Sequence, residues 1–187
     1  MNLDDDKTLV ALAAAMVQYP RATYQDLAVA IGVSRATLYR FCSTREELVL
    51  RLLRHSSKRL SQSLEQAQLH TGDPRPGLSR LIESQLRHKE LMSFLTQYWQ
   101  ADMELDPEIS ADCKSNEDLV EAFFLRGQRA GVFRIDISAA TLNDTLIWLI
   151  IGLMDSERRG RIARATLPST IEELFMCGAK AETAQSL

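Results

Sequence analysis

Thr23 and Ser34 each stand where a helix can begin, and Gly32 lies between them. Thr23-Tyr24-Gln25-Asp26 sets a hydroxyl to accept the orphan amides of a first turn, with a carboxylate three residues on. Upstream, Pro20 ends whatever helix precedes it. Gly32 permits the left-handed or tight backbone of a sharp turn, and Ser34 is a good N-cap. The spacing therefore predicts a helix over Thr23 to Ala30, a turn through Ile31-Gly32-Val33, and a second short helix through Arg40, followed by a connector at Phe41 to Ser43. In such a pair Leu27, Ala28, Val33 and Leu38 can pack together while the second helix stays exposed.

Helical periodicity continues on both sides. Leu9, Leu12, Ala13, Met16 and Val17 share one face of a helix from about Asp5 to Gln18. Thr44-Arg45-Glu46-Glu47 is another capping box, and Leu48, Val49, Leu52, Leu53, Leu60 and Leu64 follow at helical spacing. A helix from there to Leu69 would be about 38 Å long, enough to join two domains. The Gly72-Asp73-Pro74-Arg75-Pro76-Gly77 cluster reads as a loop. Leu78, Leu81, Ile82 and Leu86 then mark one helix, and Leu91, Phe94, Leu95, Tyr98 and Trp99 another, with Asp106-Pro107 breaking the pattern. Ser115-Asn116-Glu117-Asp118 is expected to cap a helix that carries Leu119, Val120, Phe123, Phe124 and Leu125 and ends near Gly131. Val132 to Ile137 alternates like a strand but has no second strand to pair with, so it is expected as an extended linker. Ser138 opens a helix whose centre, Leu146 to Met154, is apolar on every face and must be covered all round. Ser169-Thr170-Ile171-Glu172 is expected to cap a last helix to about Cys177, with Ala179 to Leu187 frayed.

The fold class expected is all-α. Only 6% of the 187 residues are aromatic, and eight Gly and five Pro are too few for a turn-rich β-sandwich. The nine-residue apolar stretch Leu146 to Met154 falls short of the roughly 20 residues a membrane-spanning helix needs. The acidic start, Met1 to Lys7, lacks the basic and apolar regions of a secretory signal, so a cytoplasmic protein with no membrane partner is expected. Cys42, Cys113 and Cys177 are far apart, form no CxxC pair and have no histidine at a ligand spacing, which reads as reduced thiols. No metal and no cofactor are called for.

An enzyme is not expected either. His55, His70 and His88 fall on different predicted elements, no Ser/His/Asp order is suggestive, and no Gly-rich phosphate loop follows a strand. Asp102, Glu104, Asp106 and Glu108 cluster beside Pro107, as a solvated turn would.

The second short helix carries Arg35, Thr37, Tyr39 and Arg40. Arginine can grip guanine O6 and N7 bidentately, threonine can bond a base edge or meet a thymine methyl, and tyrosine can donate to a phosphate. Charge points to the same place. The chain has net charge -3, yet between Pro20 and Arg59 the cations Arg21, Arg35, Arg40, Arg45, Arg51, Arg54, Lys58 and Arg59 exceed Asp26, Glu46 and Glu47 by five. A basic run alone could be a solvated helix face; together with two helices joined by a sharp turn it favours a reader of double-stranded DNA.

These residues carry a resemblance. Thr23, Asp26, Leu27, Ala28, Gly32, Val33, Ser34, Thr37, Leu38, Tyr39, Thr44, Arg45, Glu46 and Leu48 fall where the signature of the TetR family of bacterial transcriptional regulators has them. The chain departs from that signature at Cys42, where the family usually has an aromatic, with Phe41 just before it to supply the packing. The resemblance covers the first quarter of the chain and implies a helix-turn-helix DNA-binding domain at residues 1–45 and a helical ligand-binding and dimerisation domain at residues 46–187. It implies base or phosphate contacts from Ser34, Arg35, Thr37 and Arg40, a phosphate contact from Tyr39, and backbone contacts from Thr23 and Arg45.

It also implies a regulator, a repressor in the usual case, that binds a near-palindromic operator as a homodimer through its last two helices, near Ser138 to Arg158 and Ser169 to Cys177, and is released by a small hydrophobic ligand. The centre at Leu146 to Met154, apolar on every face, supports the dimer independently because a monomer of this size has few helices left to cover it; a monomer with a fully internal helix is the alternative. A ligand-independent regulator or activator of the same fold, or a helical dimer that has lost DNA binding, is the alternative. Ligand contacts are expected among Leu91, Phe94, Tyr98, Trp99, Met103, Phe123, Phe124 and Trp148, with His88, Asn143 and Asp144 as polar anchors, although an aromatic stripe at helical spacing also serves as ordinary core. A ligand acts only by binding two conformations unequally, and the long Thr44 to Leu69 helix is the element expected to shift.

Overall fold

The computed structural model describes residues 5–98 and 106–181. Trp99 to Leu105 lie outside the described residues, and with them Trp99, Asp102, Met103 and Glu104; so does most of the expected frayed end, residues 182–187. The described residues form nine α-helices and no strand: α1 Asp6–Gln18, α2 Tyr24–Ala30, α3 Arg35–Phe41, α4 Arg45–Gln66, α5 Pro74–Arg87, α6 Lys89–Tyr98, α7 Pro107–Arg129, α8 Ala139–Arg158 and α9 Leu167–Ala179, with a short 3-10 turn at Arg164–Thr166 before α9. The all-α class expected from periodicity is what the chain adopts. None of the described helices is long and apolar enough to cross a membrane.

The chain divides into two compact units that are not contiguous in sequence. One comprises Met1–Ser61 and His88–Cys113, the other Gln62–Arg87 and Lys114–Leu187. Helices α4 and α7 each begin in the first and end in the second.

In the first unit α1 packs on α6 and α2, and α2 on α3. Leu12 and Met16 of α1, Leu27 of α2, Leu38 of α3, Leu48, Leu52 and Leu53 of α4, and Leu91 and Phe94 of α6 are buried together. Each contributes about 2 kcal/mol of apolar burial, enough to hold helices that are individually too short to persist. The Tyr98 hydroxyl donates to the Met16 carbonyl at 3.1 Å, tying the end of α6 to α1. Helix α7 begins with Pro107 at a position that needs no amide donor, and Asp106 ahead of it accepts from the Glu108 amide at 2.8 Å and from Arg54 Nε of α4 at 2.5 Å. Asp106 is therefore buried and ion-paired, which corrects the expectation of a solvated turn.

The second unit has an aromatic centre. Phe123 and Phe124 of α7 meet Phe133 edge to face, with ring centroids 5.7 and 5.1 Å away, and Phe124 also meets Phe175 of α9 at 5.7 Å. Phe133 belongs to the expected linker, which is not extended throughout, bending at Val132 and over Ile135 to Ile137, and which does find a bridge partner. Its partner is the chain just after α9: Arg134 N donates to Ala179 O at 2.9 Å and Ala181 N to Val132 O at 3.3 Å, around an antiparallel bridge between Phe133 and Lys180. Gln128 of α7 holds the segment from the other side, donating to the Arg134 and Ile137 carbonyls at 2.8 and 2.7 Å. Arg126, one turn before the end of α7, donates to the Gly72 carbonyl at 2.5 Å and to the Leu69 carbonyl at 2.7 Å, closing the turn between α4 and α5.

Three helix starts differ from those expected, for one reason: proline in the first turn is an opener. The Gly72 to Gly77 cluster is only half a loop. Gly72 sits at φ +74°, Asp73 Oδ1 accepts from the Arg75 amide at 2.9 Å, and Pro74 already lies in α5. Ser115 caps nothing, because α7 has run without a break from Pro107, and the Lys114–Asp118 pair at 2.8 Å spans the same stretch. Ser169 also lies inside a helix that starts at Leu167-Pro168, and its hydroxyl donates back to Thr166 O at 3.0 Å.

Gly127 faces Phe133 so closely that a β-carbon there would overlap the ring and come within 3.3 Å of Pro74 Cβ. Gly127→Ala should destabilise the protein by about 2 kcal/mol through overpacking, read as a lower urea midpoint with unchanged slope. Adding Phe133→Leu, which trims the ring, should recover part of that loss; a purely additive double variant would show that the two sites do not meet.

Candidate nucleic-acid interface

The interface is built on two caps. Thr23 accepts from the Asp26 amide at 3.3 Å, and the Asp26 carboxylate in turn accepts from the Thr23 amide at 2.8 Å and from its hydroxyl at 2.7 Å, a complete capping box at the start of α2. These bonds hold the Asp26 carboxyl below its ordinary range. Val33 N returns to Ala28 O at 2.9 Å around Gly32, which stands at φ +71° and so requires glycine's freedom. Ser34 then caps α3, accepting from the Thr37 amide at 3.1 Å, while its hydroxyl and that of Thr37 lie 2.8 Å apart.

Helix α3 has seven residues, and Leu38 alone of them is fully buried. Arg35, Tyr39 and Arg40 are exposed and Thr37 is half-buried, so the four residues singled out for base and phosphate contact stand on one short, capped helix. The Tyr39 ring stacks on Tyr24 of α2 with centroids 4.5 Å apart and planes at 22°. The Arg35 guanidinium carbon lies 5.2 Å from the Tyr39 ring centre, with Nη2 3.4 Å from the Tyr39 hydroxyl. Tyr24 donates its own hydroxyl to the Thr44 carbonyl at 2.5 Å. Burial, then the neighbouring Cys42, Tyr39 and Glu47, push that hydroxyl up to about 12, so it stays protonated at any working pH.

Arg45 was expected from the resemblance as a contact to the DNA backbone. In this structure it donates to the Ala22 and Pro20 carbonyls at 2.8 Å each and pins the turn between α1 and α2 to the start of α4. Beside it, the Glu47 amide donates to the Thr44 hydroxyl at 3.1 Å, and the Glu47 carboxylate reaches back to the Ser43 amide and hydroxyl at 2.7 and 2.9 Å. Those bonds hold the Glu47 carboxyl low. Cys42 is itself buried in the first unit's core, while Phe41 is half-buried with the Arg51 guanidinium 4.1 Å above its ring. The small thiol and the aromatic thus share the packing that the signature gives to one aromatic residue.

Two interactions escaped sequence reasoning. The Tyr24–Tyr39 stack could have been suspected only from two aromatics flanking a turn, and the short bond from Tyr24 to Thr44 joins residues twenty positions apart.

The residues expected to touch a ligand divide between the units. Phe94 and Tyr98 belong to the first, stacked with centroids 4.5 Å apart. Phe123, Phe124, Asn143 and Trp148 belong to the second. There Phe123 and Phe124 are fully buried, Asn143 is buried, and Trp148 is 63% exposed. Around Trp148 the apolar centre of α8 buries only Leu146, Ile150 and Met154 within the chain, and Leu174 of α9 is 53% exposed. Among the described residues, no three His, Cys, Asp or Glu side chains gather as a metal site would require.

No protein-family model matches the chain. It is 45% identical to the HTH-type transcriptional regulator NfxB of Pseudomonas aeruginosa over 176 residues, 94% of either protein. To the HTH-type transcriptional repressor LfrR of Mycolicibacterium smegmatis it is 31% identical over 103 residues, 55% of this chain and 53% of that one. Among solved structures, that of the TetR-like regulator LfrR from Mycobacterium smegmatis in complex with proflavine has the same fold, with a TM-score of 0.72 at 22% identity over 92% of this chain and 94% of that one.

The capping box makes a prediction that needs no DNA. Asp26 has a folded-state pKa below its unfolded value, so its contribution is present above the ordinary carboxylate range and lost as pH falls through the folded value. Thr23→Ala should lower stability by about 1 kcal/mol at neutral pH. Followed by urea midpoint from neutral pH down through the acid range, the gap between wild type and variant should narrow as the Asp26 carboxylate is protonated, leaving only the hydroxyl's bond to the Asp26 amide; a gap that stays constant would mean that Asp26 plays no part in the cap.

Proposed function

Because this chain belongs to the TetR family of transcriptional regulators, we propose that it is a repressor that binds a near-palindromic operator as a homodimer and leaves it when a small apolar ligand binds. The observation that carries the reading is α3, a capped helix that buries one leucine, exposes Arg35, Tyr39 and Arg40 and leaves Thr37 half-exposed. Arg35 and Arg40 supply the bidentate donors that distinguish guanine, Tyr39 and Ser34 supply hydroxyls for phosphate, and Thr37 suits a base edge or a thymine methyl. Thr23 and Arg45 stand beside the phosphate backbone; a guanidinium has five N–H donors, so Arg45 can serve both the Ala22 and Pro20 carbonyls and a phosphate.

Residues 1–45 are the reading head and residues 46–187 the helical part that binds ligand and pairs with a second copy. A dimer is supported by the outward apolar residues of α8 and α9, Trp148 and Leu174, which a monomer leaves in water. A dimer sets two α3 helices about 34 Å apart, one helical turn of DNA, hence a near-palindromic site. For the ligand, candidate contacts are Phe94 and Tyr98 in one unit and Phe123, Phe124, Asn143 and Trp148 in the other. Their aromatic character suits a planar, hydrophobic molecule, and the proflavine complex of LfrR supports the planarity. The protein acts in the cytoplasm, where its DNA is, with no membrane partner and no cofactor.

Fluorescence anisotropy on duplex DNA from the upstream region of its own gene, against a scrambled duplex across a salt series, tests the head. Arg35→Ala and Arg40→Ala should each lower specific affinity about tenfold or more and bring it toward non-specific binding. Equal, weak binding to both duplexes by wild type would favour the helical dimer that has lost DNA recognition. Trp148→Glu should convert a dimer in sedimentation to a monomer with its helical circular dichroism intact. Proflavine itself binds DNA, so its affinity is read on the protein alone from tryptophan quenching; quenching that leaves the DNA affinity unchanged with a non-intercalating ligand of the same class would support the ligand-independent regulator.

A further inference from the structure

A seven-residue helix with one fully buried leucine, Leu38, and one half-buried aromatic, Phe41, is braced against rotation about its axis on the Phe41 side of the leucine and needs a second brace on the other. That rotation matters for reading. Side-chain tips lie about 6 Å from the axis, so a turn of about 10° displaces them by about 1 Å. A hydrogen bond tolerates a range of only about 0.5 Å. Phe41 lies to one side of Leu38, and the angle is set by what supports the other side. Tyr39 is the next residue, about 100° around the helix, and it rests on the Tyr24 ring at 4.5 Å.

Tyr24 is a rigid support because it is anchored at both ends. Its backbone sits in the first turn of α2, inside the Thr23–Asp26 capping box, and its hydroxyl donates to Thr44 O just before α4. Arg35, one turn back from Tyr39 on the same face, lies over or beside the Tyr39 ring at 5.2 Å. The order is therefore a fixed ring on α2, a ring on α3 stacked against it, and a guanidinium placed by the second ring.

We propose that Tyr24 is a positioning residue for sequence reading: its ring sets the rotation of α3, and through Tyr39 it aims Arg35, without serving as a DNA contact itself. This rests on the reading of α3 as the DNA-recognition helix. The Tyr24 hydroxyl, still protonated, donates its one hydrogen to the Thr44 carbonyl and so has none to offer a phosphate. The ring supplies the stacking surface and the hydroxyl fixes its far end, so phenylalanine should keep part of the function and an aliphatic side chain should lose it.

The test uses the full-length protein and a duplex library randomised over its central base pairs, from which wild type selects its preferred sequence. Affinities for that duplex and for a scrambled one are then compared for wild type, Tyr24→Phe, Tyr24→Leu, Arg35→Ala and Tyr24→Leu/Arg35→Ala, each with its unfolding midpoint measured. Tyr24→Leu should lose about tenfold in specific affinity while binding to the scrambled duplex and its salt dependence stay within about twofold. Tyr24→Phe, which keeps the ring but loses the anchor to Thr44, should fall between wild type and Tyr24→Leu. In the Arg35→Ala background, Tyr24→Leu should cost little further specificity, because its effect passes through Arg35. A Tyr24→Leu protein whose specific and scrambled affinities fall together, or stay unchanged, overturns the proposal and leaves Tyr24 a packing residue. If the Arg35→Ala protein keeps full specificity while Tyr24→Leu loses it, the aim is not at Arg35 and the proposal fails in that form. If wild type selects no sequence at all, the reading of α3 as a DNA-recognition helix fails first, and the role of Tyr24 with it.

Discussion

A helix of seven residues has almost no stability of its own in water, so α3 exists because Leu38 is buried. The leucine enters a core shared with Leu27 and Ala28 of α2 and Leu48 and Leu52 of α4, and removing it from water supplies more than any contact the helix makes along its own length. The outward residues just beyond Leu38 follow from that one inward residue. With Leu38 inside, Tyr39 and Arg40 are turned away from the core by helical geometry, while Arg35, three residues before Leu38, is exposed at the start of the helix.

The other contacts of the head restrain what Leu38 leaves loose. Ser34 and Thr23 satisfy first-turn amides and decide where α3 and α2 begin. Arg45 and Tyr24 reach across the turns, to the Pro20 and Ala22 carbonyls and to the Thr44 carbonyl, so the loops before α2 and before α4 are held by side chains as well as by backbone. The second unit uses the same device. Arg126 gathers the carbonyls of the α4–α5 turn, and Gln128 those of the linker that carries Phe133 into the aromatic centre.

Much of this was legible in the chain. The caps at Thr23, Ser34 and Ser138, the turn at Gly32 and the periodic apolar faces all depend on residues a few positions apart, and those local patterns place α1, α2, α3 and α8 to within a residue or two. The starts of α5, α7 and α9 were not legible in the same way. A proline ends one helix and opens the next with equal ease, and only the backbone ahead of Pro74, Pro107 and Pro168 decides which. Ser115 and Ser169 carry the letters of a cap in the middle of helices that had already begun.

What the amino-acid sequence determined by itself was therefore the helical class, the two-helix reading motif and the identity of its outward residues, because each is settled within one or two helical turns. Only tertiary structure decided which polar side chains became fasteners. Asp106 joins Arg54, Tyr24 joins Thr44 and Arg45 joins Pro20 and Ala22 across separations of roughly twenty to fifty residues, over which no local periodicity carries information. The same holds for α8. Its sequence is apolar all round, and packing within the chain selects Leu146, Ile150 and Met154 for the interior and leaves Trp148 outward, since a helix touching its neighbours along one stripe can bury only that stripe.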